Sequence, residues 1–241
     1  MITLSPETRM AVIGGGVAGI TASYLLDSRC QVTLFEKNDY VGGHTHTHEI
    51  TDGPDAGARV DSGFIVMNNR TYPLLTKLLG KLGVGIRNSD MSFGYWDHAS
   101  QFQYSGNGVG GMLADLKNLT SVRWWRMVRD ILRFEKVGTA ALQSGQWLQQ
   151  PLGDFLRHYK LSDDFRDHYL IPMGASIWST SNEEMLEFPT GVFLEFFRNH
   201  GLLNLRERPQ GQTVVGGSSS YVKAFLKGFR GKVHTNRRFS R

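Results

Sequence analysis

Three glycines and one acid carry the clearest chemical pattern in the chain. Gly14, Gly16 and Gly19 form a Gly-x-Gly-x-x-Gly run, and Glu36 lies 22 positions beyond Gly14. Each glycine has its own physical role. Gly14 permits a tight turn, Gly16 the approach of a pyrophosphate to the backbone, and Gly19 the packing of a helix close to a strand. The N–H groups that open such a helix, here around Val17 and Ala18, lack intrahelical partners and meet an anion together with the positive end of the helix dipole. An acid about 20 residues on falls at the tip of the next strand, where its carboxylate accepts hydrogen bonds from a ribose diol. Glu36 meets that requirement, and it would repel a 2′-phosphate, which disfavours NADP. The chemistry expected here is dinucleotide binding.

A glycine run alone is a tight loop, so the flanking elements decide. Met10 to Ile13 is a short apolar run that reads as a strand. An Ala/Leu-rich helical pattern then reaches Leu26, Asp27-Ser28-Arg29 makes a turn, and Val32 to Phe35 forms a second apolar run ending at Glu36. Strand, glycine turn, helix and strand are the context that the fingerprint needs.

Immediately downstream, Gly42-Gly43-His44-Thr45 forms a second glycine loop. This loop resembles that of the flavin-dependent amine oxidase and phytoene desaturase superfamily, with His44 where many members carry Arg. The resemblance continues through Val60-Asp61-Ser62-Gly63-Phe64-Ile65-Val66 and Asn69-Arg70-Thr71-Tyr72-Pro73. It also covers the stretches 168–174, 177–179, 197–201 and Val215-Gly216-Gly217-Ser218. Together these are similar to a bacterial branch described as predicted NAD/FAD-binding, amine-oxidase-like proteins.

The resemblance implies an α/β fold: a Rossmann-like FAD/NAD(P)-binding domain with an inserted α+β substrate domain, truncated at the C-terminus. The expected division is 1–70 for the FAD-binding part, 71–210 for the mostly helical substrate domain and 211–241 for the return segment. The implied cofactor is FAD, held by Gly14, Gly16, Val17, Ala18, Gly19, Glu36, Lys37, Gly42, Gly43, His44, Thr45 and Gly63. It further implies oxidation of a C–N or C–C bond, with a small-molecule substrate that is apolar or an amine. In the family the last strand sets an aliphatic residue against adenine, and Phe239 falls at that position here. No catalytic side chain is assigned, although His44, Asp61 and Tyr72 lie inside the matching motifs. Two alternatives stand beside this reading. One is a truncated or split non-catalytic homologue that binds nucleotide weakly or acts with a partner chain completing the fold. The other is an NAD-dependent dehydrogenase, which has no need of the second glycine loop.

Composition narrows the remaining classes. The 241 residues suffice for one large domain or two small ones, and 40% hydrophobic with 20% charged residues is ordinary globular usage. A single cysteine, Cys30, excludes an internal disulfide and is expected as a small buried residue at the start of the second strand. No apolar leader or membrane-length run is present, so a cytoplasmic location is expected. Net charge is +5, and from Arg198 onward ten Lys/Arg face the single acid Glu207. These cations are scattered and match no nucleic-acid-binding motif, so no nucleic acid is expected. His44, His46 and His48 alternate and on a strand would share one face. No carboxylate or thiolate completes a ligand set, so no metal is expected.

Further along, Val60 to Val66 reads as a buried strand broken by Gly63, whose lack of a side chain suggests close approach of the backbone to a ligand. Pro73 begins a helix with a leucine stripe, and Phe93, Tyr95, Phe102 and Tyr104 alternate on either side of a turn, as in a β-hairpin. Ser121 to Val137 is a helix with Arg123, Arg126 and Arg129 at three-residue spacing beside Trp124 and Trp125. Such a helix would suit a membrane surface, but a solvated face over a packed one is the favoured reading. Ser162 is expected to cap a helix that Pro172 and Gly174 interrupt. A later helix from Pro189 to Gly201 is expected to bury Val192, Phe193, Phe196 and Phe197, and Thr213 to Val215 reads as a strand.

Overall fold

The computed structural model describes residues 4–68, 70–90, 93–106, 111–112, 115–203 and 209–239. Asn69 of the matching motif, and Arg206, Glu207, Arg208 and Arg241 of the basic end, lie outside them. In chain order the first elements are β1 (Arg9–Ile13), α1 (Val17–Leu26), β2 (Gln31–Phe35), β3 (Thr47–Glu49), β4 (Arg59–Asp61), α2 (Pro73–Lys81) and β5 (Ile86–Asn88). There follow β6 (Gly94–Asp97), β7 (Phe102–Ser105), α3 (Val122–Ser144), α4 (Leu152–His158), α5 (Asp163–Phe165), α6 (Ile171–Trp178), α7 (Asn182–Leu186) and α8 (Thr190–Asn199). The last are β8 (Gln212–Val214), α9 (Ser219–Gly228) and β9 (Lys232–His234). They divide into two compact units, one made of Met1–Asp90 with Gln210–Arg241, the other of Met91–Pro209.

The first unit is built on a parallel sheet in the order β1-β2-β9. Met10 pairs with Val32 and Val12 with Leu34, while Leu34 also pairs with Val233. That face packs on α1 and α9 around Ile20, Leu34, Tyr221, Val222 and Phe225. Cys30 is buried just before β2. A separate antiparallel pair joins β5 to β8, and Met67 bridges to Gln212 through hydrogen bonds of 2.8 and 2.7 Å. These ties hold residues 71–90 in the first unit, so the boundary falls at 90/91 instead of the expected 70/71. The buried strand expected over Val60 to Val66 is also corrected. Only β4 forms, paired to β3, and Val60 on it is half exposed.

The second unit contains the β6–β7 hairpin and the helices α3 to α8. Phe134 of α3 lies at the centre of its core, in ring contact with Phe155, Phe165, Phe193 and Phe197. Ser162 caps α5 by accepting from the Phe165 N–H, as its position suggested. The break expected at Pro172 and Gly174 is absent. A π-helical turn over Arg166–Leu170 leads straight into α6, and Pro172 sits in the first turn of α6, where a missing N–H costs least. Gly174 is inside because a Cβ there would lie 2.9 Å from Met185 Sδ and 3.0 Å from Phe193 Cε2. In α8, Phe193 and Phe197 are buried as expected and Phe196 is half-buried, but Val192 is 52% exposed and Leu194 is buried in its place.

The arginines of α3 are engaged within this unit. Arg123 and Arg126 pair with Asp164 at 3.5 and 3.1 Å, and Arg129 and Arg133 each reach Asp130 at 3.0 Å. Trp124 is buried, its indole N–H donating to the Met112 carbonyl, whereas Trp125 is half exposed. Among the described residues, no helix is long and apolar enough to cross a membrane.

Candidate dinucleotide site

The first glycine loop leaves β1 at Gly14, whose φ of +96° is open to glycine and costly for other residues. Its N–H donates to the Phe35 carbonyl at 2.7 Å, joining the ends of β1 and β2. A Cβ on Gly19 would overlap the Gly14 carbonyl oxygen, so α1 can approach the turn this closely only with glycine there. Gly16 precedes α1 in an extended conformation, and no side chain caps the helix, leaving its opening N–H groups available to a ligand. These are the positions of Val17 and Ala18.

The second loop is locked onto the first. The Gly42 N–H donates to the Gly15 carbonyl at 2.9 Å. Gly43, at φ +62°, stands so close to Gly16 that an added Cβ would be 2.9 Å from the Gly16 Cα. Two backbone segments without side chains therefore face each other at the carboxyl ends of β1 and β2, which is where ligands of open α/β sheets bind. A side chain at Gly16 would fill the space between the loops, so the donor-rich, side-chain-free cradle fits a pyrophosphate.

Glu36 is 4% exposed. Its Oε2 accepts from the Gly15 N–H at 2.6 Å and its Oε1 from the Asn38 N–H at 2.9 Å. Burial alone would raise its pKa. The backbone hydrogen bonds from Asn38, Gly15 and Lys37 outweigh that and hold the carboxyl below its ordinary value. Each oxygen keeps a second lone-pair direction for a ribose hydroxyl.

The remaining expected residues have other surroundings. The Thr45 hydroxyl is buried against Tyr221 Oη at 2.5 Å. The closest approach at Gly63 is to the chain itself, where a Cβ would overlap the His44 carbonyl oxygen, and the Phe64 N–H donates to that oxygen at 3.2 Å. His44 and Lys37 are exposed. Phe239 lies beyond β9, edge-on to Phe35 at 5.2 Å. The three histidines do not share a strand face, because β3 begins only at Thr47. His46 stacks on His48 at 4.3 Å, and His48 Nε2 lies 3.0 Å from Ser62 Oγ. Among the described residues, no group of three or more His, Cys, Asp or Glu is arranged to hold a metal ion.

One constellation was visible only in pieces from the sequence. Asp61 accepts from the Ser218 N–H at 2.9 Å, from the Ser218 hydroxyl at 2.8 Å and from the Thr47 hydroxyl at 2.5 Å. Thr47 Oγ1 in turn accepts from the Ser219 N–H at 2.9 Å. The latch ties β3 and β4 to the start of α9. Asp61 and Gly216-Gly217-Ser218 both lie in the matching motifs, but their partnership spans 157 residues.

The matches to known proteins follow this geometry. The family described as NAD(P)-binding Rossmann-like domain matches residues 12–82. The matched stretch contains both glycine loops, Glu36 and α2, while the parallel sheet also takes in β9 from outside it. No curated protein matches the chain in sequence. Among solved structures, a putrescine oxidase with putrescine bound shares the fold at a TM-score of 0.63 and 16% identity, over 95% of this chain and 51% of that one. A fatty acid isomerase from P. acnes that produces CLA gives 0.63 and 18%, over 97% and 52%. An oxidoreductase from Methanosarcina mazei gives 0.61 and 17%, over 95% and 51%. The chain spans about half the length of these structures. The likeness extends well past the Rossmann-like domain, because 95% coverage takes in the second unit too.

Proposed function

We propose that this chain binds the ADP half of FAD at the Gly14–Gly19 turn and serves an FAD-dependent oxidoreductase of the amine oxidase and phytoene desaturase type. The supporting observation is the second glycine loop, in which Gly42 and Gly43 are pinned on Gly15 and Gly16 to make a cradle with two backbone walls. The opening N–H groups of α1 meet the pyrophosphate, and Glu36 orients the adenosine through its ribose. When bound, FAD supplies the hydride acceptor for oxidation of a substrate C–N or C–C bond. The protein positions the reactants and excludes water.

Titration of the purified chain with FAD, followed by the visible flavin spectrum, tests this. Saturable one-to-one binding is expected. It should weaken roughly tenfold or more with Glu36→Ala, through loss of charge-assisted hydrogen bonds, and vanish with Gly16→Val, which fills the cradle. Equal binding by either variant defeats the assignment, and displacement of FAD by NAD at equal concentration would favour the dehydrogenase alternative. Bleaching of bound flavin by an amine would support substrate oxidation by this chain.

A second reading is favoured by the parallel sheet, where Ile13 is 57% exposed on β1 and no strand among the described residues pairs with that edge. In it, a partner polypeptide covers β1 and firm FAD retention requires that partner. Flavin lost on dialysis of the isolated chain is the outcome it expects.

A further inference from the structure

The faces of the parallel sheet are unlike. One packs on α1 and α9. The other carries Ile13 and Phe35 where the strands finish but Arg9, Gln31, Thr33 and Lys232 where they begin. Parallel sheets covered on both sides are apolar on both, so packing gives no reason for that polar half. A cleft of about 640 Å³ opens there, walled by the Asp27–Cys30 turn and by Arg230 and Gly231.

Charge in the cleft is one-sided. Arg9, Arg29, Arg230 and Lys232 border it, and the sole acid in its lining, Asp27, is already engaged by the Arg230 N–H and Nε, both at 3.2 Å. Among the described residues, no carboxylate lies within ion-pair distance of Arg9, Arg29 or Lys232. The register sets Arg9 beside Gln31 and Lys232 beside Thr33, on opposite sides of β2. Neighbouring strands lie about 4.8 Å apart and each residue rises about 3.3 Å, so, with the two-residue offset along β2, the two cations are rooted roughly 12 Å from each other. Between them stand an amide and a hydroxyl, both able to donate.

We propose that this cleft is a second anion site, taking a phosphate group between Arg9 and Lys232 with Gln31 and Thr33 beneath it. Arginine's planar fork suits phosphate oxygens, and several uncompensated cations favour a multiply charged group over a single carboxylate. The site lies at the amino ends of the strands, opposite the dinucleotide cradle, and does not depend on the identity of the dinucleotide.

Inorganic pyrophosphate, titrated into the Gly16→Val chain to silence the cradle, is the probe, with backbone amide shifts as the readout. Saturable shifts at Gln31, Thr33 and Gly231 are expected. In Arg9→Ser/Lys232→Ser, both exposed positions, the dissociation constant should rise roughly tenfold or more for the loss of two charged donors, at unchanged thermal stability. Absent shifts, or shifts that persist undiminished in the double variant, overturn the proposal. If Arg9→Ser/Lys232→Ser instead unfolds, Gln31→Leu replaces it, with the same expected loss of affinity. Sedimentation with phosphatidylglycerol vesicles, against phosphatidylcholine alone, identifies the source of the phosphate. Capture that the double variant abolishes assigns a lipid headgroup, and no capture assigns a soluble phosphate ester.

Discussion

Glu36 holds the glycine turn at the mouth of the proposed nucleotide cradle. Because both its oxygens accept backbone N–H groups, Glu36→Gln would turn an amide NH2 toward one of those donors. A loss of roughly 1–3 kcal/mol is expected, together with weaker FAD binding, both measurable by urea unfolding with and without FAD. The sign with pH follows from a folded pKa below the unfolded value of about 4.3. This stabilisation is complete above that value and is lost as the pH falls through the folded pKa, so the difference between parent and variant should shrink only in acid. The place of Glu36 at the end of β2 was legible from spacing, but its grip on Gly15 was not. Spacing says where a side chain stands along the strand, whereas the hydrogen bond depends on how the turn folds back over it.

At the scale of elements, Asp130 fixes α3 to the start of α5. Its side chain is fully buried, and it accepts from Arg129, Arg133 and the Ser162 N–H, the last at 2.8 Å. Burial pushes its pKa up, but the hydrogen bonds from Arg129, Ser162 and Arg133 prevail and hold the carboxyl far below the usual range. Asp130→Asn should cost about 3 kcal/mol at pH 7. That contribution, present above the unfolded pKa of about 3.9, is lost as pH falls through the folded value, and chemical denaturation at pH 7 and pH 3 checks it. Elements defined by local pattern were readable in advance: the βαβ start, the β6–β7 hairpin and the Ser162 cap all depend on residues a few positions apart. Elements decided by distant neighbours were not. Gly174 reads as a breaker until Met185 and Phe193 are seen pressing on it, and at the edge of the aromatic face of α8 it is packing that buries Leu194 and leaves Val192 exposed. The Asp61–Ser218 latch escaped for the same reason.

Considered as a whole molecule, the chain has β1 at the edge of its parallel sheet, where no strand among the described residues pairs with it beside the exposed Ile13. Unpaired N–H and C=O groups in such a row recruit other strands, so self-association at micromolar concentration is expected. Ala11→Lys, which places a charge on the exposed face of β1, should suppress it at unchanged thermal stability, as read by light scattering against concentration. The two units also differ in how the chain supplies them. Every described strand pair and core contact of Met91–Pro209 is made within one continuous stretch, but the parallel sheet needs β9, which follows β2 only after the whole second unit has been made. Closing a loop of that length costs about 5 kcal/mol of chain entropy in the unfolded polypeptide. Synthesis from the N-terminus therefore lets the second unit collapse while the first still lacks its third strand, Ser218 for Asp61 and Tyr221 for Thr45. The glycine cradle, though its loops lie within the first 45 residues, thus rests on a sheet that only β9 completes.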